Sequence, residues 1–165
     1  MSQTVYSLEP AIGVHGQEYD AGFNDHISAV ATEDIPMGSI VCRVNGDPSK
    51  VKLPASAADI TNPGSVLGIA LFDGLIPQPE AATVPSYKTG SRVCVLHAGR
   101  VRIKFEDNVA DGASLFVRFG GTGQKGAIRS DADGTNAAAL VGANAYKGAN
   151  AALGIVEIDR RGRGV

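Results

Sequence analysis

Short runs rich in valine and isoleucine, each closed by glycine, proline, asparagine or aspartate, recur along most of this 165-residue chain. β-Branched side chains favour a pleated strand, and the closing residues favour tight turns. The runs occupy residues 39–44, 66–72, 91–105, 115–119 and 153–158, with shorter ones at 127–129 and 139–141. A pattern of about seven or eight short strands predicts an all-β fold, a small antiparallel β-barrel or β-sandwich with little helix.

The most regular stretch is residues 91–105. Val101, Ile103 and Phe105 alternate with Arg100, Arg102 and Lys104, so one strand face is apolar and the other is basic. Ala98-Gly99 interrupts the run, and we expect a β-hairpin that turns there. The run at 66–72 is almost continuously apolar, which is typical of a strand buried on both faces.

Two regions show a weaker pattern. Residues 45–65 are rich in turn formers, with one alanine-containing stretch that suits a helical turn. Residues 136–153 repeat a Gly-Ala-Asn-Ala sequence at 142 and 148, where glycine and asparagine disfavour a helix. We expect a loop or hairpin with a short helical turn in 136–153, since about two repeats are too few for a hexapeptide β-helix.

Two loops resemble binding motifs but lack the helix or the ligand residues that those motifs need. Residues 121–126 read GTGQKG, which fits GxGxxG, but no helix is predicted after them to face a phosphate. Residues 131–136 place Asp131 and Asp133 at alternate positions, yet Asn136 and Gly142 occupy the positions where a calcium loop needs glycine and glutamate. We expect a glycine-rich hairpin tip and a turn, with no cofactor and no metal.

Nothing in the sequence indicates catalysis, and we expect that the protein is not an enzyme. His15, His26 and His97 stand apart from any nucleophile or ligand spacing. Cys42 and Cys94 each lie in an apolar run without a CxxC pair. This favours buried thiols in a reducing compartment, with a single disulfide as the alternative.

Charge divides the chain although the formal net charge is only −2. Residues 1–42 contain six acidic residues and no lysine or arginine, whereas residues 43–165 contain 15 bases and 11 acids. We expect an extended acidic N-terminal arm at 1–33, a single β-rich domain at 34–158 and a basic C-terminal tail at 159–165. Neither an early cationic stretch nor an apolar run of about 18 residues is present, so no targeting peptide and no membrane span are predicted.

Basic residues form two groups, Arg92, Arg100, Arg102 and Lys104 in the predicted hairpin and Arg160, Arg161 and Arg163 at the C-terminus. Stacking aromatics are missing beside them, and a pI of 5.9 is not typical of a nucleic-acid binder. We expect these cations to meet protein carboxylates. The acidic arm, of the same subunit or of a neighbouring one, is the candidate partner.

Taken in order, several of these pieces make the chain resemble the tailed-phage capsid decoration (cement) proteins. The resemblance covers residues 30–158. It is carried by Ile35-Pro36-Met37-Gly38, Val66-Leu67-Gly68-Ile69-Ala70, Tyr87 before Gly90, Val93-Cys94-Val95-Leu96 with Gly99-Arg100-Val101, Val109 with Gly112 and Leu115, Val141-Gly142-Ala143 and Leu153-Gly154-Ile155-Val156.

The resemblance implies a small β-rich protein, usually a homotrimer, that catalyses nothing. It would bind the major capsid protein on the outer capsid surface at threefold and quasi-threefold positions and stabilise the assembled head. It would be made in the host bacterial cytoplasm, with neither nucleic acid nor a membrane as a partner. We expect the arm and the basic groups to supply the contacts, through Tyr6, Leu8, Glu9, Glu18, Asp20, Arg92, Arg100, Arg102, Lys104, Arg160, Arg161 and Arg163.

The alternative function is a small β-sandwich or barrel that binds carbohydrate or another small ligand. Sugar sites usually use tryptophan or tyrosine platforms, and this chain has no tryptophan. Composition therefore disfavours this alternative.

Overall fold

The computed structural model of the chain describes residues 13–20, 22, 24–45, 47–76 and 84–159. Strand accounts for 51% of the structure and helix for 4%, which confirms the all-β prediction. The elements in chain order are β1 (Asp25–Ala31), β2 (Ile35–Pro36), β3 (Ile40–Val44), β4 (Asp47–Lys52), α1 (Ala57–Thr61), β5 (Val66–Ala70), β6 (Ser86–Tyr87), β7 (Arg92–Lys104), β8 (Asn108–Val109), β9 (Ser114–Arg118), β10 (Ile128–Arg129), β11 (Ala137–Lys147), β12 (Ala149–Asn150) and β13 (Leu153–Asp159).

Five strands close into a β-barrel in the order β1-β4-β3-β5-β7, and β7 pairs back to β1. β1 runs antiparallel to β7, from Asp25 opposite Ala98 to Val30 opposite Arg92. The other neighbours are also antiparallel, except that β1 and β4 are parallel where Val30 faces Lys50. Closure leaves these strands fewer unpaired edges than an open sheet would.

Beyond residue 98, β7 continues out of the barrel into a second group of strands. Their order is β7-β13-β11-β9-β10, and each pair is antiparallel. The two groups therefore form one nine-stranded sheet that shares β7. Two further ladders pair β2 with β6 and β8 with β12.

Two apolar clusters make up the core. One is built from barrel strands and includes Ala29, Val41, Val51, Leu67 and Val95. The other joins β3 and β5 to the second group of strands and includes Ile69, Val101, Ile103, Leu115 and Val156. All five residues of β5 are buried and both clusters draw on them, which confirms the prediction of a strand covered on both faces.

The hairpin predicted at Ala98-Gly99 is wrong, because β7 is one strand of 13 residues that does not turn there. Gly99 has a φ of +139°, a conformation that favours glycine, and a Cβ at this position would lie 2.1 Å from Asn24 Oδ1. The strand exchanges partners at this point, since Leu96 faces Ile69 of β5 whereas Gly99 faces Ile158 of β13. The glycine therefore marks the passage from the barrel to the second group of strands rather than a turn.

The predicted arm also contains a strand. The sequence predicts residues 25–31 as part of the arm, but the structure places them in the sheet as β1. Its inward face carries the half-buried Ile27 together with Ala29 and Ala31, which are 3% and 1% exposed. The hydrophobic alternation of these residues is weak in the sequence, because two of them are small and Val30 lies on the other face, and the pairing with β7 supplies the order instead.

The helical turn predicted within 136–153 is absent, and strand β11 replaces the loop alternative. The hairpin alternative is confirmed, because β11 runs antiparallel to β13 and β12 lies in the connection between them. β11 pairs with β13 through residues 143–147 and with β9 at Ala137–Ala139 and Asn144. These long-range hydrogen bonds override the low strand propensity of alanine, asparagine and glycine. In contrast, α1 confirms the helical turn predicted in 45–65, and the Ser56 N–H donates to Asp59 Oδ2 at its start (3.1 Å). No described helix has the length and apolar character needed to cross a membrane.

Candidate interaction surface

The described end of the N-terminal segment lies along the edge of β7. The Gly16 N–H donates to the Arg102 carbonyl (2.8 Å), the Arg102 N–H donates to the Gln17 carbonyl (2.8 Å), and the Tyr19 N–H donates to the Arg100 carbonyl (3.0 Å). Residues 16–19 thus pair through their backbone with residues 100–102, the basic half of β7. The acidic segment and the basic strand are neighbours within one chain.

His15 anchors the start of this segment. The Lys104 backbone N–H donates to His15 Nδ1 at 2.9 Å, so that nitrogen must be unprotonated. Burial, together with the nearby Lys104 charge, lowers the pKa of His15 to about 4. The neutral imidazole is therefore the form that fits this site at neutral pH.

Two of the predicted acidic contact residues have partners in their own chain. Asp20 Oδ2 lies 3.4 Å from the Arg100 guanidinium, which also lies 3.5 Å from Glu157. Glu18 contacts the imidazole of His26. The sequence leaves open whether the same subunit or a neighbouring one supplies carboxylates to the basic residues of β7. Asp20 and Glu157, which contact Arg100, belong to the same subunit.

Aromatic residues lie over Arg100 and Arg102, so the prediction that stacking aromatics are missing beside the basic strand is wrong. The Arg100 guanidinium lies 3.9 Å from the centroid of the Tyr146 ring, and the Arg102 guanidinium lies 5.3 Å from that of Tyr19. The two tyrosine rings are 6.2 Å apart and tilted by 46°. Tyr146 is not among the predicted contact residues, because nothing in the sequence indicates that β11 reaches the neighbourhood of β7.

The predicted alternation in residues 100–105 is confirmed. Val101, Ile103 and Phe105 are at most 1% exposed, whereas the basic residues lie on the opposite, solvent side. Arg92 is exposed at the other end of β7, and a strand rise of about 3.3 Å per residue puts it about 26 Å from Arg100. It therefore belongs to a different part of the surface. The remaining predicted contact residues lie outside the described part of the chain, namely Tyr6, Leu8, Glu9, Arg160, Arg161 and Arg163.

A second charged cluster lies beneath the glycine-rich loop. Arg118, only 7% exposed, donates through Nε to Glu106 (2.8 Å) and through a terminal nitrogen to Asp133 (2.7 Å). These bonds raise the pKa of Arg118 and lower that of Asp133. Arg129 joins the cluster 2.7 Å from Asp131 and 3.2 Å from Asp133.

This cluster explains the two motif-like loops. Residues 121–126 connect the antiparallel strands β9 and β10, which confirms the hairpin tip. Residues 131–136 form a turn whose Asp133 binds Arg118. In the described ranges no group of three or more histidine, cysteine or acidic side chains could hold a metal ion.

A cleft of about 590 Å³ lies beside this cluster. Its charged lining includes Glu106, Arg118 and Arg129, which already pair with one another or with neighbouring carboxylates. The two cysteines lie elsewhere, in β3 and β7, and are thiols rather than a disulfide. Burial raises the pKa of the Cys94 thiol, which makes it a poor nucleophile at neutral pH.

The fold and this surface define a β-barrel protein that presents its aromatic and basic residues on an open sheet face rather than in an enclosed pocket. The chain belongs to the structural cement protein family (E217 gp24/Pam3 gp6), whose sequence model matches residues 1–161. That family consists of structural phage proteins, and membership places the chain among proteins of the phage capsid.

One solved capsid structure agrees with the fold. A chain in the capsid of Myoviridae phage XM1 superimposes with a TM-score of 0.66 at 14% identity, and the match covers 96% of this chain and 97% of that one. The N base of the head fiber gp8.5 of bacteriophage phi29 matches with a TM-score of 0.44 at 15% identity, over 84% of this chain and 96% of that one. No curated protein matches the sequence significantly.

Proposed function

We propose that this chain is a capsid decoration protein that binds the major capsid protein on the outer surface of an assembled phage head and stabilises the shell. It acts as a homotrimer at threefold and quasi-threefold positions and catalyses no reaction. The observation that carries the proposal is the match of the cement protein family over nearly the whole chain. The open face that presents Tyr19, Tyr146 and basic residues of β7 agrees with it, since tyrosine and arginine are enriched at protein interfaces.

The chain stabilises the shell because its binding is thermodynamically linked to shell assembly. A protein that binds the assembled shell but not its separated subunits stabilises the shell by RT ln(1 + [L]/Kd) per site, about 2.7 kcal/mol when its free concentration is 100 times Kd. Many equivalent sites multiply this gain, so each contact needs only modest affinity. The rigid barrel and the ordered ion pairs suit this purpose, because little conformational entropy is lost when a preformed surface binds.

The proposal also assigns a role in binding to the N-terminal arm. Tyr6, Leu8 and Glu9 precede the segment that β7 holds, and we assign to them contacts that cross to a neighbouring subunit. Arg160, Arg161 and Arg163 are assigned a similar role at the other terminus. In a closed threefold arrangement such contacts run head to tail, so one arm serves each interface.

Capsids prepared without decoration protein test the proposal. The purified chain is expected to co-sediment with them, to raise their disruption temperature and to give a trimer mass by light scattering. A chain without residues 1–12 retains β1 and is expected to fold but to bind capsids more weakly. Capsids that neither bind the intact chain nor gain stability from it would refute the function, whereas unimpaired binding of the shortened chain would refute only the role of the arm.

A further inference from the structure

Two strands that flank β13, β7 and β11, present cations on one outer face of the second group of strands. Arg102 of β7 is opposite Ile155 of β13, which is opposite Lys147 of β11. Lys104 lies two residues further along β7, opposite Leu153. Strand spacing of about 4.8 Å and a rise of about 3.3 Å per residue keep the backbones of the three basic residues within about 12 Å of one another.

An irregularity in β11 brings Tyr146 to the same face. The register against β13 shifts between Ala145 and Lys147, and the inserted residue is Tyr146. A bulge of this kind turns two successive side chains to similar directions. Tyr146 and Lys147 are accordingly both exposed, Tyr146 by 46%. The face therefore combines an apolar centre, Leu153 and Ile155, with an aromatic ring and flanking cations.

The cations of this face differ from three arginines of the same group of strands. Arg100, Arg118 and Arg129 each form ion pairs with carboxylates of their own chain. Within the described ranges, Arg102, Lys104 and Lys147 form no such ion pair, and Arg102 is held only by Gln17 Oε1 (3.4 Å) and the Tyr19 ring. Three close, uncompensated positive charges create a field that attracts carboxylates.

We propose that this face, formed by Arg102, Lys104, Lys147 and Tyr146, is the surface with which the chain binds a carboxylate-bearing segment of the capsid shell protein. The inference rests on the proposed function and specifies its contact chemistry. The partner supplies acidic side chains to the three cations and an apolar group to Leu153, which is half-buried, whereas Ile155 beside it is already buried. Tyr146, oriented by Arg100, supplies the aromatic anchor.

A protein partner fits this face better than a nucleic acid. Asp20 and Glu157 both contact Arg100 at the border of the face, so among the described residues the positive charge without an ion pair there comes from Arg102, Lys104 and Lys147. Three cations beside the apolar Leu153 suit a protein surface, whereas tight binding to a nucleic acid draws on more phosphate contacts, on the order of 6–10. Binding to nucleic acid is therefore an outcome that the experiment must exclude.

The test is capsid binding by the full-length chain with charge-reversal variants. Lys104→Glu with Lys147→Glu is expected to weaken association with nuclease-treated capsids by about tenfold or more, and wild-type affinity is expected to fall as salt rises from about 50 mM to about 300 mM. The matched control is Lys50→Glu with Lys125→Glu. It changes net charge equally at two exposed lysines outside this face and is expected to bind within about twofold of wild type.

The possible results separate the two proposals. If wild type binds and the Lys104/Lys147 variant binds equally well while folded by circular dichroism, the surface assignment is refuted and the decoration function stands. Loss of the trimer mass in that variant would assign the face to contacts between copies and would also refute it, as would wild-type binding that disappears after nuclease treatment. If the wild-type chain itself does not bind capsids, both proposals are refuted.

Discussion

Gly68 of β5 lies against the backbone of β7 so closely that a Cβ at residue 68 would stand 2.1 Å from the carbonyl oxygen of Leu96. The contact lies where two neighbouring barrel strands meet, because β5 pairs with β7 at Leu96 and Val95. Gly68→Ala must therefore push the two strands apart, and we expect it to destabilise the fold by about 2–3 kcal/mol or more. Urea unfolding followed by circular dichroism measures the loss.

Gly74→Ala is the control for this substitution. A Cβ at residue 74 would meet Phe72 at 3.4 Å, an ordinary contact distance, and we expect a change within about 0.5 kcal/mol. Equal effects of the two substitutions would show that the close approach at Gly68 has no special role in barrel closure.

Arg118 is expected to be the most important charged residue for stability. Arg118→Met keeps much of the side-chain volume but leaves Glu106 and Asp133 without their main cation, and the Gly120 carbonyl without a donor. We expect a loss of about 2–3 kcal/mol, somewhat below the cost of breaking a fully buried pair because both carboxylates are partly exposed.

An exposed pair provides the comparison for Arg118. Lys88 contacts Asp34 at 2.6 Å, and both side chains are more than half exposed. Lys88→Ala is therefore expected to cost less than about 1 kcal/mol in the same urea experiment. A larger loss for Lys88→Ala than for Arg118→Met would contradict this ranking of the ion pairs.

Acid is expected to weaken the attachment of the N-terminal segment through His15. Its pKa is about 4 in the folded chain against an ordinary value of 6.5, so the unfolded chain takes up the proton first. The stabilisation is complete above about pH 6.5 and is lost as pH falls from there to about 4. Because His15 is half-buried, we expect the loss to be about 1–2 kcal/mol. The charged groups around its cleft are Lys104, Glu106, Asp107, Arg118 and Arg129.

His15→Asn separates this effect from the titration of carboxylates. Asparagine offers an acceptor to the Lys104 N–H but does not titrate, so free energies of unfolding measured from about pH 7.5 to about pH 4 should fall less steeply than in wild type. Identical slopes in the two proteins would show that His15 does not titrate in this range upon unfolding.

Truncation from the N-terminus tests whether β1 is part of the folded barrel. Removal of residues 1–12 leaves every described strand pair intact, and we expect the β circular dichroism spectrum and cooperative unfolding to persist. Removal of residues 1–31 deletes β1 and exposes the edges of both β4 and β7, so we expect the barrel to open and the protein to aggregate. A soluble, cooperatively folded chain lacking residues 1–31 would place β1 outside the folding unit.

Local patterns in the sequence predict some parts of this molecule well. The alternation of Val101, Ile103 and Phe105 with three cations identifies both faces of a strand, because the side-chain period depends only on local geometry. The division of charge also points correctly to a contact between the acidic segment and the basic strand, seen in the Asp20–Arg100 pair.

Features that depend on long-range pairing are harder to predict. Ala98-Gly99 has the composition of a turn, and only the change of partner from β5 to β13 shows why the strand continues. Tyr146 and Lys147 share a face with Arg102 and Lys104 because β13 lies between β11 and β7. No local signal in an alanine-rich segment indicates that neighbour.

Electron cryomicroscopy of decoration-free capsids incubated with the purified chain shows whether the chain decorates a phage head. The proposed function predicts additional density on the outer surface at threefold and quasi-threefold positions, into which the barrel and its second group of strands fit. Capsids whose outer surface stays bare at saturating concentrations of the folded chain would contradict it.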